Sequence, residues 1–264
     1  MAQLDLMAAE RQAAILDRVR RYGRVLASEL AIEFETSEDT IRRALRELAE
    51  QGLCRRVYGG ALAISPLSES IVFRNAESID RKAALGAALA SLVTKGQFVF
   101  IDGGTTNLAA ARMIPKDFDL TVATQDPAIA ATLATREDLT LISIGGQVKP
   151  QLGSAVGVEA TRQMMDLRPD LLFLGLCALD PETGVWSFDA EDAAFKQCLV
   201  KNSRKTAAAA LNEKLDASAP FRVCPLESIE TLIVESNAPR RATKPFLARG
   251  LQIKAAKPQT QRQP

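Results

Sequence analysis

The sequence predicts an α/β fold in two parts, a small N-terminal helical module closed by a hairpin and a larger domain built on a parallel sheet. Three observations carry this. The chain has 264 residues, 47% hydrophobic and 25% charged, which is ample for a buried core and too long for one minimal domain. Its first sixty residues repeat apolar positions at helical spacing, whereas from Gln97 onward short apolar runs of strand type alternate with helical segments. Between them, "SPLSESIVFRNAES" mixes Pro, Ser and charge without periodicity, as a linker does. The predicted parts are residues 1–64, 76–238 and a C-terminal tail, 239–264, whose last portion is expected to be disordered.

In the first part, Ile15, Val19 and Tyr22 recur along a helix from about Met7 to Tyr22, with Gly23 as its stop. Ala27, Leu30, Ala31 and Phe34 follow the i, i+3, i+4, i+7 pattern of a short second helix. Thr36 or Ser37 can cap a third, with Glu38 and Asp39 in the first turn, where the helix dipole favours negative charge. Its core stripe is Ile41, Leu45 and Leu48. At about 100° per residue, Arg43 and Arg46 point nearly opposite, with Arg42 on the flank. After Gly52, "LCRRVYGGALAI" holds two strand-like runs around Gly59 and Gly60, suited to a tight hairpin.

An isolated run of arginines on a helix is ordinarily a solvated face. Residues 1–60 hold ten arginines and ten acids, so charge alone decides nothing. The arrangement is more informative: a short helix, a tight turn, a capped helix with outward arginines and a basic hairpin describe a winged helix-turn-helix. The second helix of such a pair enters the major groove while flanking basic groups hold phosphates. The candidate DNA-binding residues are Ser37, Thr40, Arg42, Arg43 and Arg46 on the helix and Arg55 and Arg56 on the hairpin.

In the second part, "IDRKAALGAALASLVTKG" reads as a helix ended by Gly96. Strand and helix then alternate through "QFVFID", "TTNLAAARMI", "LTVAT", "DPAIAATLA" and "LTLISIGG". Further on, "DLLFLGLCALD" and "ETLIVES" read as strands, and "AEDAAFKQCLVKNS" as a helix. The run "TAAAAL" is helical by propensity and stays ambiguous. The chemically suggestive stretch is "FIDGGTTN": a strand ending in Asp102 runs through Gly103 and Gly104 into a helix opened by Thr105 and Thr106. Backbone amides there can surround an anion, phosphate being the natural guest. Glycines at such a turn can equally serve the turn alone. No Walker A or dinucleotide-binding glycine pattern is present.

Composition excludes several classes. A net charge of +1 gives no chain-wide field for polyanions, so any nucleic-acid contact is a local patch. Histidine is absent, which removes the commonest general base and metal ligand. Cys54, Cys177, Cys198 and Cys224 are scattered, with no Cys-x-x-Cys pair and no secretory signal, as expected of reduced thiols in a soluble cytoplasmic protein. No apolar run approaches the roughly 20 residues of a membrane helix.

The stretches "LASELAIEFETSEDTIRRALRELAEQG" and "RRVYGGAL" resemble the DeoR-type bacterial transcriptional regulators. That family usually shows Thr-Ile-Arg-Arg-Asp-Leu and His-Gly-Gly-Ala, where this chain has Ala44 for the Asp and Tyr58 for the His. The resemblance extends through "DGGTTN", "GGQVKPQLGSAVG", "PDLLFLGLCALDPETGV" and "AEDAAFKQ" to about Asn237, and it places a strand near "TAAAAL". It implies a sensor domain similar in fold to ribose-5-phosphate isomerases that binds a phosphorylated sugar or related metabolite. Carried over by position, Asp102, Gly103, Gly104, Thr105 and Thr106 form the phosphate loop, Gly145, Gly146 and Lys149 a facing loop, and Glu191 and Lys196 the opposite rim, with Lys214 beside them. Glu191 with Lys196 can equally be an exposed helix ion pair. Two departures stand out: Gln125 where the family has Asn, and Leu211 in place of an acid before Lys214.

The expected function is therefore a DNA-binding transcriptional repressor of carbohydrate or related metabolic genes, controlled by a phosphorylated small metabolite. The expected partners are a double-stranded DNA operator and further copies of the chain, as homodimer or homotetramer, with no cofactor, metal or membrane. The alternative is a sugar-phosphate isomerase-type enzyme with an accessory DNA-binding module.

Overall fold

The computed structural model describes residues 8–63 and 71–257. Two compact units make up the chain, residues 1–66 with the short segment Ala217–Ala219, and the remainder. The first contains α1 (Ala8–Tyr22), β1 (Arg24–Leu26), α2 (Ala27–Glu33), α3 (Glu38–Glu50), β2 (Cys54–Val57) and β3 (Gly60–Ala63). Ile15 and Val19 of α1, Leu30 of α2 and Ile41, Leu45 and Leu48 of α3 interlock in one buried cluster. Ser37 caps α3, its Oγ accepting the Thr40 amide at 3.2 Å, an interaction typically worth about 1 kcal/mol.

Three details differ from the sequence expectation. A short strand, β1, lies between the first two helices and pairs antiparallel with β3, so the hairpin is a three-stranded wing ordered β1-β3-β2. The hairpin turn is Tyr58-Gly59, and Gly60 already belongs to β3, where a Cβ would fall 1.9 Å from the Val25 carbonyl oxygen. Tyr22 is 56% exposed instead of sharing the core, because Val19 is the last residue of α1 that reaches the cluster.

The second unit contains α4 (Ile71–Ala76), α5 (Ile79–Ala90), β4 (Phe98–Ile101), α6 (Thr105–Ala111), β5 (Leu120–Thr124), α7 (Pro127–Leu133), β6 (Leu139–Ser143), β7 (Gln147–Lys149), β8 (Ser154–Val156) and α8 (Val158–Met165). It continues with β9 (Leu171–Leu174), β10 (Ala178–Asp180), β11 (Gly184–Ser187), α9 (Ala190–Asn202), β12 (Lys205–Ala210), β13 (Phe221–Cys224), β14 (Thr231–Val234), α10 (Arg240–Ala248) and β15 (Gln252–Ala255). Seven strands form a parallel sheet ordered β15-β14-β12-β9-β4-β5-β6. Alternate residues face opposite layers, as the strand period of two requires. Val99, Ile101, Leu171 and Phe173 pack on Leu85, Leu108 and Ile129 of α5, α6 and α7. Phe100, Leu172 and Leu174 pack on Met164, Phe195 and Phe246 of α8, α9 and α10.

From β4 the chain runs outward to β6, then returns to β9 on the other side of β4 and proceeds to β15. The order therefore reverses between β4 and β9, and the carboxyl ends of these two strands flank a crevice of the kind in which open α/β sheets hold ligands.

The expected linker contains a helix, α4, too short for amphipathic periodicity to register. The next helix stops at Ala90, not at Gly96, and Val93 turns beneath the sheet instead. "DLLFLGLCALD" divides into β9 and β10. "TAAAAL" is strand β12, hydrogen-bonded on both sides by β9 and β14, so tertiary pairing overrides alanine's helix propensity. Residues 240–255 are not a tail: α10 packs Phe246 into the core and β15 extends the sheet beside β14. The disorder expected for the last portion falls largely on residues 258–264, which lie outside the described residues.

Candidate functional site

On α3 the arginines lie outside the core, as its stripe requires: Arg42, Arg43 and Arg46 are all exposed. Arg42 pairs with Glu38 at 2.5 Å and Arg43 with Glu47 at 3.2 Å. Exposed i,i+4 pairs contribute only about 0.3–0.5 kcal/mol, so a phosphate or base edge readily displaces them. Arg46 makes no ion pair among the described residues. Arg55 and Arg56 are exposed on β2. Ser37 and Thr40 are engaged with each other, their hydroxyl oxygens 2.8 Å apart, so their first role is capping. Ala44, in the position where the family usually carries Asp, is buried in the helical core.

In the second unit a charged cleft opens at the carboxyl ends of β4 and β9. Asp102, fully buried at the end of β4, accepts hydrogen bonds from the Gly103 amide at 2.8 Å, Gln125 Nε2 at 2.6 Å and the Gly175 amide, beyond β9, at 2.8 Å. Lys196 Nζ, on α9, lies 3.4 Å from Asp102 and donates to both carboxylate oxygens of Asp192, at 2.7 and 2.9 Å. Ser187 Oγ donates to the same carboxylate at 2.6 Å. Asp102, Asp192 and Lys196 are each less than 5% exposed. Burial pushes Asp102 above the usual carboxylate range, opposed by Lys196. Burial alone would depress Lys196, but Asp102 and Asp192 hold it above the ordinary lysine value.

Gly103, Thr105, Thr106, Lys196, Lys214 and Arg74 all line this cleft, which encloses roughly 520 Å³ of empty space counted out to its open mouth. Lys214 donates to the Leu176 carbonyl. With a carbonyl and no carboxylate as partner among the described residues, it is depressed by burial, and the nearby cations Arg74, Lys196 and Lys82 add to that. Asn107 ties α6 to both strands, donating to the backbone carbonyls of Asp102 at 2.8 Å and Phe173 at 2.9 Å. Ser154 of β8 approaches so closely that a Cβ on Gly103 would lie 2.7 Å from its Oγ.

Several expectations change here. The Gly103 amide is engaged by Asp102 and the Gly104 amide by Asp126 at 3.3 Å, so the turn does not present all its amides to the cleft. Gly145 and Gly146 are exposed and do not line it; the Gly145 amide donates to Gln163 of α8 at 3.0 Å. Lys149 pairs with Asp189 and Glu191, each at 2.7 Å, outside the cleft lining. The helix partner of Lys196 is Asp192, four residues before it and on the same helical face, and not Glu191, five before it. Sequence reasoning missed Asp192, although its i,i+4 spacing was readable, and assigned no role to Asn107 inside "DGGTTN". Arg74 carried no signal, lying in the stretch without periodicity.

A capped helix with outward arginines beside a basic wing, followed along the chain by a parallel-sheet domain with a charged cleft at its switch point, defines a DNA-binding transcriptional regulator. Residues 11–66 match the DeoR-like helix-turn-helix domain, and residues 77–236 match the DeoR C terminal sensor domain. The chain belongs to the DeoR family. It is 30% identical over 232 residues to the HTH-type transcriptional regulator GlpR of Haloferax volcanii, covering 87% of this chain and 91% of that one. It is 28% identical over 231 residues to the glycerol-3-phosphate regulon repressor of Escherichia coli K12, covering 87% and 92%. Among solved structures, ribose 5-phosphate isomerase A of Methanocaldococcus jannaschii is similar at a TM-score of 0.39 and 11% identity, over 52% of this chain and 55% of that one, a likeness too distant to bear on function. Family membership makes the chain a regulator and sets aside the isomerase alternative. No helix among the described residues is long and apolar enough to cross a membrane.

Proposed function

We propose that the chain represses genes of carbohydrate metabolism by binding a double-stranded DNA operator, and that a phosphorylated sugar or related metabolite in the sensor cleft alters that binding. The observation that carries this is the pairing of charges at the β4/β9 crevice. Lys196 is neutralised by Asp102 and Asp192, whereas Lys214 lines the same cleft with the Leu176 carbonyl as its acceptor among the described residues. An anion entering beside Lys214 replaces a neutral acceptor with a charge-assisted one. Thr105 and Thr106 supply hydroxyls beside it, while Asp102 and Lys196 form the buried frame. Arg42, Arg43 and Arg46 read or hold the operator, with Arg55 and Arg56 on flanking phosphates; Lys149 and Glu191 stay a rim ion pair.

Because one winged module covers little DNA, the working species is a homodimer or homotetramer reading two half-sites, in the cytoplasm. The test is operator binding at fixed salt, with and without a panel of phosphorylated sugars and polyols, alongside melting of the sensor domain. A ligand confined to the folded state raises the melting point, and a coupling of about 1–3 kcal/mol changes operator affinity roughly 5- to 150-fold. A panel in which no compound does either refutes the effector reading, and a monomer by light scattering with operator present refutes the assembly.

A further inference from the structure

Helices α5 and α6 meet backbone to backbone at Gly86, where a Cβ would fall 2.6 Å from the Ala110 nitrogen and 2.7 Å from the Ala109 carbonyl carbon. Beside that crossing the same two helices frame a second pocket, with roughly 580 Å³ of empty space counted out to its open mouth. One face of α5 contributes Ile79, Lys82 and Ala83, which share a side of the helix at i, i+3 and i+4. From α6, buried Leu108 and Ala109 form an apolar floor, and Arg112 follows one turn on. The alanines at 83 and 109 explain why the space is there, since a larger side chain at either position would occupy it. Thr105 lines both this pocket and the charged cleft, so the two lie on either side of the start of α6.

The electrostatics of the lining are one-sided. Among the described residues it holds two cations, Lys82 and Arg112, and no carboxylate. Lys82 is 7% exposed, and its ammonium donates to the backbone carbonyls of Arg74 and, at 2.8 Å, Glu77. Burial lowers its pKa, as it does for any ammonium whose close acceptors are neutral. Arg112 is exposed, and its guanidinium makes no hydrogen bond or ion pair with any described residue; neither does the side-chain amide of Asn75, which reaches the lining from α4. A pocket with an apolar floor and a few polar groups that fix orientation is the usual form of a small-molecule site. The positive lining then selects an anion, and the planar fork of a guanidinium matches the two oxygens of a carboxylate.

We propose that this pocket is a second ligand site, which takes a small carboxylate with an apolar tail. The tail lies on Leu108, Ala109 and Ala83 between the helices, leaving water as it does so. The carboxylate pairs with Arg112, with the Asn75 amide as a further donor and the positive charge of Lys82 behind it. The charged cleft, with its hydroxyls and buried ion pairs, suits a phosphorylated polyol instead. The two sites are separate, and this one does not depend on the effector reading above.

The test titrates the full chain with hexanoate, using 1-hexanol and hexylammonium as probes of the same tail without the negative charge, and reads binding by ligand-observed NMR. Hexanoate is expected to saturate, and each uncharged or cationic analogue to bind at least about tenfold more weakly. Arg112→Gln should weaken hexanoate about tenfold, and Arg112→Lys, which keeps the charge without the fork, should recover part of that. Ala83→Phe fills the space and should abolish binding, with Trp186 fluorescence confirming that the variant is folded. Should Ala83→Phe not fold, the exposed Arg112 series decides the matter alone. Hexanoate that never saturates, that binds Arg112→Gln as it binds wild type, or that is matched by hexanol overturns the proposal. A wild type that ignores hexanoate and changes its mass by light scattering on Arg112→Gln substitution also overturns it, since the pocket is then covered by a second copy of the chain.

Discussion

Replacing Lys196 by methionine should unfold the sensor domain far more readily than replacing any of its exposed lysines. The ammonium sits 2.7 and 2.9 Å from the two oxygens of Asp192 and 3.4 Å from Asp102, with all three residues almost wholly removed from water. Near 3 Å and at an effective dielectric of about 20, each charge contact is worth roughly 5 kcal/mol before desolvation. Methionine preserves the aliphatic stem but leaves two carboxylates close together and unneutralised. Removing one partner of a buried ion pair costs about 3–5 kcal/mol. At about 2–4 °C per kcal/mol for a domain of this size, the midpoint should fall by roughly 6–20 °C. Trp186, the chain's only tryptophan, lies on β11 next to Ser187, so its fluorescence reports the unit that carries the cluster. Lys149→Met, which breaks a partly exposed pair, should cost under about 1 kcal/mol.

The deficit should also depend on pH. Asp102 has a folded-state pKa raised by burial, so its ionisation works against folding, and stability falls as pH rises through the range between its unfolded and folded values. Without Lys196 that rise is larger. The Lys196→Met deficit should therefore shrink as pH is lowered from about 8 to about 5, because a protonated carboxyl needs no counter-charge. A Trp186 midpoint within about 2 °C of wild type, or a deficit that grows on acidification, would refute this account of the cluster.

Arg43→Ala and Arg46→Ala should each leave stability within about 0.5 kcal/mol. If the side chain reads a base they should weaken operator binding by about 1–3 kcal/mol with relaxed sequence preference, and if it holds a phosphate they should flatten the salt slope instead; gel-shift titrations at several salt concentrations distinguish the two. Gly103→Ala pushes a Cβ to 2.7 Å from Ser154 Oγ, so it should displace β8 from the turn and reduce binding of phosphorylated compounds in the cleft at least tenfold by calorimetry, an outcome that wild-type affinity would contradict. Ending the chain after Gly250 removes β15 together with buried Leu251 and Ala256. Loss of the leucine burial alone should cost about 1.5–3 kcal/mol, read from Trp186 in urea, and an unchanged midpoint would mean that this segment is a tail after all.

The sequence by itself determined whatever is written in near-neighbour spacing. The Ile41, Leu45 and Leu48 stripe, the Ser37 cap and the outward arginines of α3 follow from one helical period and one capping rule. The apolar strands and the Asp102-Gly103-Gly104 turn follow from a period of two broken by glycines, and the motifs that carry the family resemblance are likewise local. Tertiary structure decided what depends on residues far apart along the chain. The reversal of strand order between β4 and β9, which puts the cleft where it is, leaves no trace in any single strand. β12 is a strand because β9 and β14 hydrogen-bond it on both sides, against alanine's preference for helix. β15 is an edge strand whose residues are mostly exposed, so no apolar alternation announced it. Asp102 and Lys196 lie on different elements, and the six residues of α4 are too few for periodicity to reveal which of them, Arg74, turns toward the cleft. Periodicity reports which side of an element is buried, whereas the partner of a buried charge is chosen only when distant elements close around it and water is gone.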